Sequence, residues 1–226
     1  MRFCLTLFMF CLFSLHAPKA ETFKISTADF PESHTIHKLL NEVYKTIGYE
    51  TELVFRPAKR SLMDVNSGRF DAELARIIGT ETEYPNLIRV DEPIYALSFS
   101  AIVKKNSKIW LSSWEELKKH SLGYPRGYRI LDIRTRDLDA VQINNSAAIS
   151  KMVQGGRFEI GIAITSDAIK LAKENSNIVV LKPPIESITL YHYIHVKHRR
   201  LAPAIKRNLI KLNDSGRAKE ILYGPN

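Results

Sequence analysis

Glu73 and Arg76 interrupt the apolar run at 72–78 and are the first place in this 226-residue chain to look for chemistry. The guanidinium of Arg76 is a planar fork that matches a carboxylate or a phosphate with two parallel hydrogen bonds. Its other reading is a surface arginine paired with Glu81 or Glu83, which would contribute little. A carboxylate at Glu73, inside an apolar strand, must reach an open crevice or find a partner, because an unpaired buried charge is costly. Ligand contact and internal pairing both remain open for it. Phe30 and Glu32 follow the first apolar run, where a ring can stack on a ligand and a carboxylate can take a cationic group; core packing is the other role for Phe30. Arg60 lies one turn into a helix after Pro57 and either faces the same crevice or is solvated beside Lys59. Arg126 and Tyr128 flank Gly127 where a helix opens, a terminus that favours an anion. A plain strand-to-helix turn is the alternative there.

Other chemistries find no footing. His192, His195 and His198 invite a metal reading, but residues three apart on an extended segment point to opposite faces and do not converge, so no metal is expected. There is no nucleotide-binding glycine pattern, no HExxH and no GxSxG elbow, and no cofactor is expected.

The elements that must position these side chains announce themselves by repetition. Ser67-Gly68-Arg69-Phe70-Asp71-Ala72 returns as Gly155-Gly156-Arg157-Phe158-Glu159-Ile160. Each copy follows an amphipathic run, at 58–65 and 147–153, and precedes an apolar one, so each closes a helix with glycine and opens a strand. Around the first copy, a strand at 23–28, a helix at 33–47 and a strand at 50–55 form a βαβ unit, hence a parallel sheet. A loop containing Pro85 and Pro93 precedes the long extended run 95–103. Ser113 caps a short helix. A second lobe follows, with strands at 122–124, 140–143, 159–164 and 178–181 and helices after Gly127, from Asn145 and over 166–174. The extended run 189–196 then leads back to helices at 201–212 and 215–222.

The fold expected is therefore α/β and two-lobed, with a hinge of two crossing strands and a ligand cleft between lobes. Lobe one takes residues 21–100 and 191–226, and lobe two residues 101–190. Ligands of open α/β sheets bind beyond the carboxyl ends of the strands.

Residues 1–20 have the three parts of a secretory signal peptide: Arg2, an apolar run over 3–15, and Ala17-Pro18-Lys19-Ala20 before a cut after Ala20. The run is shorter than the roughly 20 residues a membrane span needs, and no later stretch is apolar enough for one. Cys4 and Cys11 leave with this segment, so no thiol or disulfide chemistry is expected. The formal net charge of +9 favours anionic ligands or surfaces, but the basic residues are spread along the chain, and nucleic acid does not suit an exported protein.

Several segments, in order and spacing, carry a family resemblance: Asp29-Phe30-Pro31, the first Gly-Arg-Phe-Asp-Ala, Asp91-Glu92-Pro93-Ile94-Tyr95, Ser113-Trp114-Glu115-Glu116-Leu117, Arg126-Gly127 and the second Gly-Gly-Arg-Phe-Glu. Over its whole mature length the chain resembles the bacterial extracellular solute-binding proteins of family 3, the polar amino acid binders of ABC importers. The resemblance implies a periplasmic protein that closes like a hinge on a small molecule and works with an ABC permease or, in a variant, a sensor receptor. It also implies where the ligand is touched, and Arg76 falls at such a place. Two departures bear on the ligand. Thr80-Glu81-Thr82-Glu83-Tyr84 stands where the family usually has its carboxylate-gripping Arg, and Ile164 stands where it usually has an ammonium-pairing Asp. A small anionic or amino acid-like ligand is the expectation. A cyclohexadienyl dehydratase-like enzyme, with Glu73 or Glu32 as general acid, is the alternative on the same fold.

Overall fold

The computed structural model describes residues 22–224 apart from position 112; the expected signal segment and both cysteines lie outside the described residues. The chain runs β1 (Thr22–Thr27), α1 (Ser33–Lys45), β2 (Glu50–Phe55), α2 (Ala58–Asn66), β3 (Ala72–Ile77), a short α3 (Thr80–Glu83) and a long β4 (Leu87–Lys104). After a 3-10 turn over Trp114–Lys119 come β5 (Leu122–Pro125), α4 (Arg129–Arg134), β6 (Ala140–Ile143), α5 (Ser146–Gln154), β7 (Ile160–Ile164), α6 (Thr165–Glu174) and β8 (Ile178–Val180). β9 (Glu186–His195), a second 3-10 turn over Val196–Leu201, α7 (Ala202–Asp214) and α8 (Arg217–Tyr223) complete it.

The strands form one continuous sheet in the order β2-β1-β3-β9-β4-β7-β5-β6, with β8 on β4. β1 is parallel to β2 and β3, and β5 is parallel to β6 and β7. β4 and β9 run antiparallel to each other between these two groups, in register from Tyr95↔Leu190 to Phe99↔Glu186. They link the two parallel groups into the one sheet.

The two glycine segments do the same work twice. Gly68 and Gly156 take φ of 80° and 77°, a region open to glycine, and end α2 and α5 before β3 and β7 begin. In lobe one, α1 buries Ile36, Leu39, Leu40 and Val43 in the same core as Phe23, Ile25 and Leu74 of the sheet and Ile205 and Leu209 of α7. In lobe two, Ile149 and Val153 of α5 share a core with Ile102 of β4, Ala163 of β7 and Ala168 of α6. Polar caps set the helix starts as read: Asn145 Oδ1 accepts from Ala148 N at 2.8 Å, and Ser113 and Glu116 form a capping box.

The chain before residue 95 departs from the expectation. The stretch around Pro93, read as a loop before residue 95, belongs to β4, which already begins at Leu87. Register shifts on either side of Pro93 carry the proline in irregular pairing with β9, the kind of position at which a sheet tolerates a residue without an N–H.

Candidate functional site

The carboxyl ends of β1, β2, β3, β5 and β6 open on one cleft of about 770 Å³ between the lobes. Lobe one contributes Ala28–Phe30 after β1, Phe55–Lys59 around the start of α2, and Ala75–Ile77 of β3; lobe two contributes Arg126–Ile130 after β5 and Asn144 after β6. Leu97, Ile188 and Leu190 of the crossing strands give it an apolar floor. The lobes approach closely, since a methyl group built on Gly127 would stand 3.6 Å from Ala58 Cβ.

Arg76 lines this cleft with its side chain 18% exposed, and Glu73 is fully buried behind it. Arg76 Nη2 lies 2.9 Å from Glu73 Oε1 and donates to the Ala58 carbonyl at 3.3 Å, whereas its Nε is buried without a partner. Ser61 Oγ donates to Glu73 Oε2 at 2.5 Å and lies 2.8 Å from Ser26 Oγ. Burial pushes the Glu73 carboxyl up to about 7, against the opposing pull of Arg76 and of the Ser61 hydrogen bond. Of the two roles open to Glu73, the structure thus shows internal pairing. Glu81 pairs with Arg89 and Glu83 with Arg129, so neither is the partner of Arg76.

A β-bulge makes the Glu73–Arg76 pairing possible. Glu73 stands opposite Tyr193 and Arg76 opposite Tyr191, three steps along β3 against two along β9. In a regular strand these two side chains would point to opposite faces; the extra residue turns them toward each other.

The other residues singled out in the sequence are placed as follows. Phe30 is partly buried, packs against the lobe-one core and lines the cleft. Tyr128 lines it from lobe two, set edge-on to Phe99 at 5.3 Å; burial, with Asp167 and Glu32 nearby, holds its phenol protonated. Arg126 lines the cleft, is exposed, and has no charged partner among the described residues. Glu32 is not in the lining. Its Oε1 accepts from Ser166 Oγ at 2.5 Å, a bond between lobes, and burial raises its pKa. Arg60 points along its own helix to Asp64 at 3.7 Å, outside the lining, while its neighbour Lys59 lines the cleft.

The histidines each have separate surroundings. His192 is buried, its Nδ1 donating to the Leu74 carbonyl at 3.1 Å and its Nε2 accepting from Tyr44 at 2.8 Å. His198 meets Asp71 at 2.7 Å, and His195 accepts from Lys197 N.

Asp29, Glu83, Tyr84, Arg129, Asp132 and Asn144 also line the cleft and are not among the ligand-binding residues read from the sequence, although Asp29 lies in a segment that carries the resemblance and Glu83 and Tyr84 in the stretch that departs from it. Arg129 and Glu83 form an ion pair from lobe to lobe. Asp29 and Asn144 follow strand ends, which is a sequence signal for them; the pairing of Glu83 with Arg129 is tertiary.

No family model matches the chain. An uncharacterised protein of Shewanella oneidensis is 26% identical over 179 residues, covering 75% of this chain and 67% of the relative. The solved GluR0 ligand-binding core in complex with L-glutamate is similar at a TM-score of 0.78 and 14% identity, over 90% of this chain and 97% of that one. A histidine kinase sensor domain with similarity to periplasmic binding proteins follows at 0.74 and 15%, over 89% and 94%. A mutant of ArgBP from T. maritima gives 0.72 and 15%, over 88% and 93%. Amino acid ABC transporter substrate-binding proteins are among the further matches. The chain therefore has the two-lobed fold of the periplasmic binding proteins, which its resemblance to the family 3 solute-binding proteins implies.

Proposed function

We propose that this protein is an exported solute-binding protein that closes its lobes, 21–100 with 191–226 and 101–190, over a small anionic or amino acid-like ligand. The observation that carries this reading is the partly exposed Arg76 guanidinium at the carboxyl end of β3, in a cleft walled by both lobes. Arg76 receives the anionic group in place of the family arginine, Arg126 and Lys59 add positive charge, and Phe30 and Tyr128 pack against the body of the ligand. Closure is a population shift: a ligand touching both lobes favours the closed state by its differential affinity. Glu83–Arg129 and Glu32–Ser166 join the lobes in that state.

The reading is non-catalytic. Glu73 has no exposure to the cleft and Glu32 is engaged by Ser166, which leaves neither placed as a general acid. The closed protein serves an ABC-type importer in the periplasm. Sensing through a receptor is the second reading, and its support is the similarity to a histidine kinase sensor domain.

The test is calorimetric titration of residues 21–226 against amino acids, di- and tricarboxylates, phosphorylated compounds and short peptides, followed by Arg76→Ala with the tightest ligand. Loss of a charged hydrogen bond predicts affinity weakened by about 1.5–3 kcal/mol. Unchanged affinity would remove Arg76 from the site.

A further inference from the structure

We propose that anion binding at this site is coupled to a proton: the empty site keeps Arg76 neutralised by the buried Glu73, and an anion that takes the guanidinium is bound together with a proton taken from solvent onto Glu73. The inference rests on the reading of Arg76 as the anion anchor and adds what happens behind it.

The geometry makes the exchange hard to avoid. Glu73 is inaccessible to water, and its Oε1 has the Arg76 ion pair and no other partner. Its Oε2 is occupied by Ser61. Oε1 meets the guanidinium through Nη2 alone, and an anion taking any of its nitrogens competes with Oε1 for the same positive charge. A carboxylate losing its counter-charge where no water can reach it is strongly disfavoured, and protonation is the available relief. Ser61, held between Glu73 and Ser26, is a neutral donor and supplies no replacement charge.

Few other groups around Glu73 can change charge in the same range. On β9, His192 is driven down to about 4 by burial and is neutral above that, and Tyr193 is engaged by Glu81 and the Ile77 carbonyl. Tyr84, which feels both Glu73 and Arg76, has its pKa raised by burial. On α2, Arg60 and Asp64 pair with each other. β1 offers Ser26 in register with Glu73. With the Glu73 midpoint at about 7, anion affinity is expected to strengthen about tenfold from pH 8 to pH 6 and to level off below that.

Acetate is the probe, because it is a monoanion throughout pH 6–8 whereas inorganic phosphate titrates within it. In protein with labelled Glu and Arg, NMR would follow the Glu73 carboxyl, assigned with Glu73→Gln, and the Arg76 Nε–H, without and with saturating acetate. The expected result is a Glu73 midpoint that moves upward with acetate, with acetate binding to Glu73→Gln at pH 8 about tenfold tighter than to the unaltered protein and independent of pH. If acetate moves the Arg76 resonance but not the Glu73 midpoint, the anion binds without a proton and the coupling is wrong, while Arg76 stays the anchor. If acetate moves neither, Arg76 is not an anion site, and both readings fall.

Discussion

Removing Arg76 tests the buried pair without any ligand, through the dependence of folding stability on pH. The Glu73 carboxyl sits at about 7 in the folded protein against an ordinary value of 4.5, so the folded state holds a proton that the unfolded chain has lost. Stability from this group is fully present below about 4.5 and falls as pH rises to about 7. Above that it levels off, because the carboxyl is then ionised in both states, and Arg76 keeps the folded midpoint from lying higher still. In Arg76→Ala the lowering pull of the guanidinium is gone and burial raises the carboxyl further, so the fall continues through the next unit. At about 1.4 kcal/mol per unit, the variant loses about 1.4 kcal/mol more at pH 8 than at pH 5.5. Loss of the hydrogen bond to Ala58 adds about 1 kcal/mol at both values, giving expected deficits of about 1 and about 2.4 kcal/mol. Urea unfolding of residues 21–226 at the two pH values measures both, with an unchanged slope against urea confirming that the same transition is followed. Equal deficits at pH 5.5 and pH 8 would refute the ionised pair, and a further Glu73→Gln should erase the difference.

His192 titrates in the opposite sense: burial lowers it from 6.5 to about 4, so its contribution is lost as pH falls below 6.5 and the unfolded chain takes up a proton. The two slopes oppose each other between pH 6.5 and 5, and Glu73→Gln is expected to expose the histidine slope, up to about 1.4 kcal/mol per unit, in thermal melts across that range. Tyr44→Phe removes the hydroxyl bonded to His192 and leaves a buried nitrogen without its donor, a loss of about 1–3 kcal/mol in denaturant unfolding. Gly161→Ala would place a methyl carbon 2.4 Å from Ile149 Cγ2 and 3.0 Å from Val153 Cγ2, an overpacking of about 1–3 kcal/mol read in the same experiment. Arg129→Ala breaks a lobe-to-lobe pair whose side chains are both mostly exposed. Stability is expected to change by less than about 1 kcal/mol, while the scattering radius of the ligand-free protein increases.

Much of the fold was legible because its signals are local. Asn145 caps α5 with its own side chain, Gly68 and Gly156 both turn left-handed, and β6 spans the four residues its apolar run marks. The beginning of β4 was not legible, because Pro93 reads as a breaker unless its pairing with β9 is known to be irregular there. Helix α3, with four residues, is too short to show a period. On α2, Lys59 and Arg60 carry the same charge side by side, and the sequence does not say which faces the crevice. The helix separates them by about 100°, enough to leave Lys59 in the cleft and Arg60 on Asp64.

The site was legible as a list of side chains and not as a circuit, and the bulge in β3 is the reason. Read at strand period, Glu73 and Arg76 face opposite ways, so a buried acid and a ligand-facing base look like separate questions. One residue of slippage against β9 makes them a single question: the group that would grip an anion already grips an acid. No local signal in 72–77 marks the slippage, since it is fixed by pairing with a strand more than a hundred residues later. A guanidinium with a counter-charge behind it attracts an anion less than a bare one does, so affinity here depends on Glu73 as much as on Arg76. A substitution at Glu73, which never touches the cleft, is therefore expected to alter ligand affinity and its pH dependence more than one at the cleft-lining Arg126, which has no charged partner among the described residues.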